Sequence, residues 1–163
     1  MARALVAQHI ELDGIFHQPG WTAIDGDIFK ARVLEAIAAP RWVVDGNYST
    51  VHDLVWERAD TVVWFDLPFA VVMARTIRRT VRRVVTRQEL WNGNKEPWSN
   101  LYSCDPEKSI IAWSATRHAI YRQRYADAER DPRWEGIHFV RLRSQREADA
   151  FAAGVTNPTL KKE

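Results

Sequence analysis

Cysteine is nearly absent. Cys104 is the only one, which excludes a disulfide framework and any cysteine-based zinc cluster. Long apolar runs are absent too, since none approaches the roughly 18 residues of a membrane helix. Met1 to Gln8 lack the basic start and apolar core of a secretory leader, so the predicted location is cytoplasmic, with no membrane contact. Glycine is scarce: there are seven in 163 residues, and none is followed by lysine. No Gly-x-x-x-x-Gly-Lys phosphate loop therefore lies in the chain. The five histidines include no pair at metal-ligand spacing on one helix, so no metal-ligand histidine is expected. No serine stands in a Gly-x-Ser-x-Gly context.

What remains is an ordinary globular balance, 46% apolar and 27% charged. The length predicts a single domain, placed at residues 1–155, with a loose tail over 156–163. The net charge of +2 conceals a segregation. Residues 1–74 hold 5 Lys+Arg against 10 Asp+Glu, and residues 75–163 hold 18 against 11. An acidic half beside a basic half points to an anionic ligand between them, to a nucleic-acid face, or to chance segregation on a solvated surface.

Four short apolar runs read as strands: His9–Leu12, Trp42–Val44, Thr61–Phe65 and His138–Leu142. Helical patterns separate them. Asp27 is placed as the cap of a helix whose apolar face is Phe29, Val33, Leu34 and Ile37. Thr50 and Asp53 have capping-box spacing, as do Ser144 and Glu147. Pro68 suits the first turn of a helix to about Thr86, and Asp105-Pro106-Glu107 opens one to about Ala128. Strands alternating with helices predict an α/β fold: a three-layer parallel sheet with helices on both faces. Ligands of such sheets sit beyond the carboxyl ends of the strands. Asp13, Asp45 and Asp66 follow the first three strands and Arg143 the fourth, although Asp66, before Leu67-Pro68, suits a turn or cap.

Asp45-Gly46-Asn47-Tyr48 is either a carboxylate placed for hydrated Mg²⁺ or a plain Asp-Gly turn. Arg75, Arg78, Arg79, Arg82, Arg83 and Arg87 occur with no acid between them. They cover half of a helix, with Met73, Ile77, Val81, Val84 and Val85 expected to face the core. A guanidinium face of this kind is a phosphate clamp, a nucleic-acid contact or a solvated surface. The polar stretch Leu90-Trp91-Asn92-Gly93-Asn94-Lys95-Glu96 follows and is expected to be an irregular lid. Trp42, Trp64 and Trp113 are expected in the core, and Trp21, Trp91 and Trp98 in loops.

His9-Ile10-Glu11-Leu12-Asp13, Trp42-Val43-Val44-Asp45-Gly46-Asn47-Tyr48, Asp60 to Pro68, the arginine helix and Glu89-Leu90-Trp91-Asn92-Gly93-Asn94 occur in this order. Together, over residues 5–152, they resemble the P-loop kinase-like proteins often labelled DNA topology modulation proteins or adenylate-kinase-like ATPases. The resemblance implies a nucleoside-monophosphate-kinase-like fold, ATP with Mg²⁺ as cofactors, and phosphoryl transfer to a nucleotide or another small molecule. It implies that Asp13 orients or deprotonates an acceptor hydroxyl and that Asp45 contacts the metal. By the same resemblance, Arg78, Arg79, Arg82 and Arg83 neutralise the transferred phosphoryl group, and Arg143 lies beside adenine. Residues 14–40, with Trp21, correspond to an acceptor-binding insert and residues 75–105 to a lid; Asn47, Tyr48, Trp91 and Asn92 are the expected substrate contacts. The chain departs from the family at its start, where a strand and the Gly-Lys loop precede the first helix. Two expectations follow: a start lying upstream, with this chain inactive as it stands, or a relative that binds without hydrolysing. The alternative class is a non-enzymatic protein that binds nucleic acid or nucleotide through the arginine helix.

Overall fold

The computed structural model describes residues 1–156. The expected tail lies outside these, apart from Thr156, which ends the last helix. The four strands form where the apolar runs stand: β1 (Gln8–Glu11), β2 (Trp42–Asp45), β3 (Thr61–Phe65) and β4 (His138–Leu142). β-Branched and aromatic residues dominate β2 and β3, which favours extended backbone there. Between them run α1 (Ala2–Leu5), α2 (Leu12–Phe16), α3 (Gly26–Ala36), α4 (His52–Trp56), α5 (Phe69–Val85), α6 (Ser99–Tyr102), α7 (Ile110–Ala128) and α8 (Gln145–Thr156).

The expected three-layer parallel sheet does not form. Among the described residues there are two separate two-stranded sheets, β1–β2 and β3–β4. Both pairs are parallel, as the alternation of strands and helices requires. Glu11 stands opposite Asp45 in the first, and Phe65 opposite Leu142 in the second. β2 and β3 do not pair with each other, so each keeps one edge free of strand partners. The alternation told which connections are crossovers, but not whether a strand has one neighbour or two.

The core is built mainly on α3 and the segment after β2. Phe29, Val33 and Ile37 are fully buried, with Leu12, Val51, Val55 and Trp56 around them. Val62 of β3 and Trp134 extend this cluster across both sheets. Leu34, expected on the same face, is 41% exposed. The cap of α3 is Asp25, whose side chain accepts from the Asp27 and Ile28 amides, two residues before the expected position. Thr50 caps nothing. Val51 precedes α4, and Asp53 bonds His52 Nδ1 instead. At α8 the Glu147 amide donates to Ser144 Oγ, and the Glu147 carboxylate reaches back to the Arg143 amide.

α5 differs most from its pattern. Its buried line is Thr76, Thr80 and Val84, at i,i+4 spacing. Ile77, Val81 and Val85 are exposed at 43%, 41% and 63%. The helix is thus rotated so that the boundary between its apolar and arginine flanks turns inward. That rotation brings Arg83 partly under cover, with Arg79 one turn before it on the same edge.

Candidate functional site

Asp13 lies in the first turn of α2, just beyond β1. The chain leaves β2 through Asp45 and a glycine held at φ 130°, which turns Tyr48 back toward α2. Gly46 is required here twice over: a Cβ would meet Leu12 Cβ at 2.8 Å, and L residues avoid this φ. The Tyr48 hydroxyl donates to Asp13 Oδ1 at 2.5 Å and lies 3.2 Å from His17 Nε2. Desolvation, with the Asp13 hydrogen bond and charge, pushes the Tyr48 pKa far above its ordinary value, so the phenol stays protonated. Desolvation lowers the His17 pKa, against the pull of Asp13. His17 Nδ1 is buried with no hydrogen-bond partner.

The charge of Asp13 reaches Arg79 of α5, and Arg83 lies one turn further on. Arg79 is exposed overall, yet its guanidinium is partly desolvated, which together with Arg83 lowers its pKa; Glu96 and Asp13 oppose the shift. Arg83 Nη1 lies 3.4 Å from Glu96 Oε1 and its guanidinium 6.0 Å from the Trp91 ring. Glu96 also accepts from Asn100 Nδ2.

The expected lid is fastened to the expected insert. Residues 17–23 and 89–95 are matching loops, each closed by an antiparallel bridge between its ends, His17 to Ala23 and Glu89 to Lys95. Each contains a 3-10 turn with a tryptophan and two residues of positive φ: Gly20 and Trp21, then Asn92 and Gly93. Asn92 Nδ2 donates to the carbonyls of Gly14 and His17, and Asn94 Nδ2 to that of Gln18. The Trp21 amide donates to Asn94 Oδ1, and its indole to the Lys95 carbonyl. Trp91 Nε1 donates to Glu11 Oε2 at 2.6 Å, and its ring lies so close to Gly14 that a Cβ there would meet Cδ1 at 2.9 Å.

Of the residues singled out in the sequence, Asp13, Tyr48, Arg79, Arg83, Trp21, Trp91 and Asn92 therefore gather in one region. Trp21, Trp91 and Asn92 hold the loops together. Asp45 is exposed at the end of β2, and its side chain makes no hydrogen bond or ion pair among the described residues. Asn47 lines a small cavity with Val44, Trp56 and Tyr125. Arg78 and Arg82 are exposed on the outer side of α5, and no contact ties them to Asp13. Arg143 is exposed beyond β4. Asp66 is structural: its 3% exposed carboxylate is held by Arg141 at 2.5 Å and Arg122 at 2.8 Å. Sequence reading missed His17, Glu11, Asn94 and Glu96. His17 had a signal, since it stands four residues after Asp13, one helical turn away; Glu96 had none.

A groove of about 800 Å³ lies elsewhere, between α4, α7 and Trp134. Within it Arg133 pairs with Asp53, and it also reaches Glu57 outside the groove. No cluster of three metal-ligating side chains occurs among the described residues. Asp45, the carboxylate expected to contact Mg²⁺, belongs to no such cluster. The residues present do not fit a nucleoside triphosphate, because no glycine-lysine loop offers its amides and ammonium. No described helix is long and apolar enough to cross a membrane. No family model, no curated protein and no solved structure matches this chain.

Proposed function

We propose that the chain carries the acceptor side of a phosphoryl-transfer site. It binds a nucleotide or another small hydroxylated molecule between Asp13 and the Arg79–Arg83 edge of α5. The observation that carries this reading is the meeting of opposed chemistries: a carboxylate held by a protonated phenol, whose charge reaches Arg79, with Arg83 one turn further along α5. Asp13 orients an acceptor hydroxyl or takes its proton, and the arginines neutralise charge on a phosphoryl group. The chain has no loop to hold the β- and γ-phosphates, so its own ATP turnover is negligible. A panel of nucleoside monophosphates and polyols, screened by thermal shift and then calorimetry, tests this. At least one ligand should bind wild type and lose affinity in Asp13→Asn; a panel without any Asp13-dependent ligand overturns the reading.

A second reading rests on the exposed guanidinium groups of Arg78, Arg82 and Arg87, which form no ion pair among the described residues and suit a nucleic-acid backbone. DNA affinity that is absent at low salt, or that does not fall as salt rises, removes it.

A further inference from the structure

Glu96 is a buried carboxylate that the proposed reaction does not use. It is 5% exposed and stands one residue after the second loop. It meets Arg83 on one side and Asn100 on the other. Its charge also reaches Arg79. The protein itself therefore already supplies an anion to Arg83 and, through its charge, to Arg79. Carboxylate and phosphate oxygens present similar acceptors to a guanidinium group, so one can stand in for the other.

The segment carrying Glu96 is a strap with defined ends. It leaves α5 at Arg87, held at φ 50°, and reaches Pro97 just before α6. Between these points it is tied to Glu11 and to the Gly14–Trp21 segment by side-chain amide and indole hydrogen bonds, partly buried at Asn94 and exposed at Trp21, Trp91 and Asn92. Such bonds open at low cost, because water replaces them readily.

We propose that Glu96 is a resident counter-anion. It occupies Arg83 and screens Arg79 in place of a phosphate-class oxyanion, and the Asn92–Asn94 clasp keeps it there. This rests on the reading above for which face takes the ligand. An entering oxyanion displaces the carboxylate from Arg83, while Glu96 retains Asn100. A purely structural Glu96 would instead tie α6 to α5 and have no effect on anion affinity.

Inorganic pyrophosphate binding, measured by calorimetry at fixed salt, separates the two roles. Glu96→Gln keeps an acceptor for Asn100 and removes the charge. It should bind pyrophosphate about tenfold or more tightly than wild type. It should also exceed Glu35→Gln, which makes the same change in net charge on the exposed side of α3. Adding Arg83→Gln should abolish the gain. A folded Glu96→Gln with wild-type affinity, or a gain that survives Arg83→Gln, overturns the proposal. If Glu96→Gln does not fold, Asn92→Ala carries the test, since it alters no charge. It should speed amide exchange over residues 87–97 and tighten pyrophosphate binding; unchanged exchange, or faster exchange without tighter binding, overturns it. A gain in pyrophosphate affinity from a chain with no nucleotide or polyol ligand would sink the phosphoryl-transfer reading and leave the counter-anion standing. Ligand binding that is unaffected by Glu96→Gln would do the reverse.

Discussion

The Tyr48 hydroxyl donates to Asp13 across 2.5 Å, joining the turn after β2 to the first turn after β1. Burial and the neighbouring carboxylate both oppose ionisation of this phenol. The difference in ultraviolet titration between wild type and Tyr48→Phe should therefore show no tyrosinate step near the ordinary pKa of 10.0 while the protein stays folded. A step there would mean that the bond to Asp13 does not persist in solution.

His17 and His52 both have pKa values lowered from 6.5, with desolvation the largest cause in each. Their folded pKa lies below the unfolded one, so the unfolded chain binds more protons between the two values. Stability should then fall as pH drops through about 6.5 toward 5, and should be fully present above that window. Melting temperatures measured across this range should decline, and the decline should be shallower in a His17→Gln, His52→Gln double variant. A flat profile in wild type, or an equal slope in the variant, contradicts the assignment.

Asp66 is buried between Arg141 and Arg122, and the Arg141 guanidinium also lies 4.8 Å from the Trp64 ring centroid. Removing the carboxylate strands Arg141, while Arg122 is more than half exposed and can turn to water. Asp66→Asn should cost about 3 kcal/mol, at the low end for a broken buried pair. Urea unfolding measures this, and a loss below about 1 kcal/mol would show that the pair contributes little.

The inward face of α3 gives a paired test. Phe29→Ala should cost about 3–5 kcal/mol, because the side chain is fully buried. Leu34→Ala, on the exposed flank, should cost far less. Equal losses would mean that the helix is rotated differently in solution.

The strand positions were legible because four short apolar runs bounded by polar turns leave few alternatives. Phe29, Val33 and Ile37 were legible for the same reason, as one helical face. The sheet was not legible, since local pattern shows that β2 and β3 are strands and not that their facing edges stay unpaired. α5 misled in part: of its expected core face Val84 is buried, but Ile77, Val81 and Val85 are exposed, and Thr76 and Thr80 complete the buried line. At the site, Asp13 and the arginine helix were visible as isolated signals. Only the fold showed that Arg79 lies within reach of the Asp13 charge and that Arg83 meets Glu96. The bond from Tyr48 to Asp13 spans 35 residues and leaves no local trace. The same holds for the clasp, whose asparagines stand in a stretch expected to be a lid, Asn92 as a substrate contact, until their carbonyl partners, more than 70 residues away, are in place.

The central claim is that Asp13 and Arg79 face one bound ligand. Calorimetric titration of the best ligand from the nucleotide and polyol panel into wild type, Asp13→Asn, Arg79→Gln and Arg78→Gln tests it most directly. The account predicts a loss of about tenfold or more in the first two variants and wild-type affinity in Arg78→Gln. Equal losses in Arg79→Gln and Arg78→Gln, or none in Asp13→Asn, would contradict it.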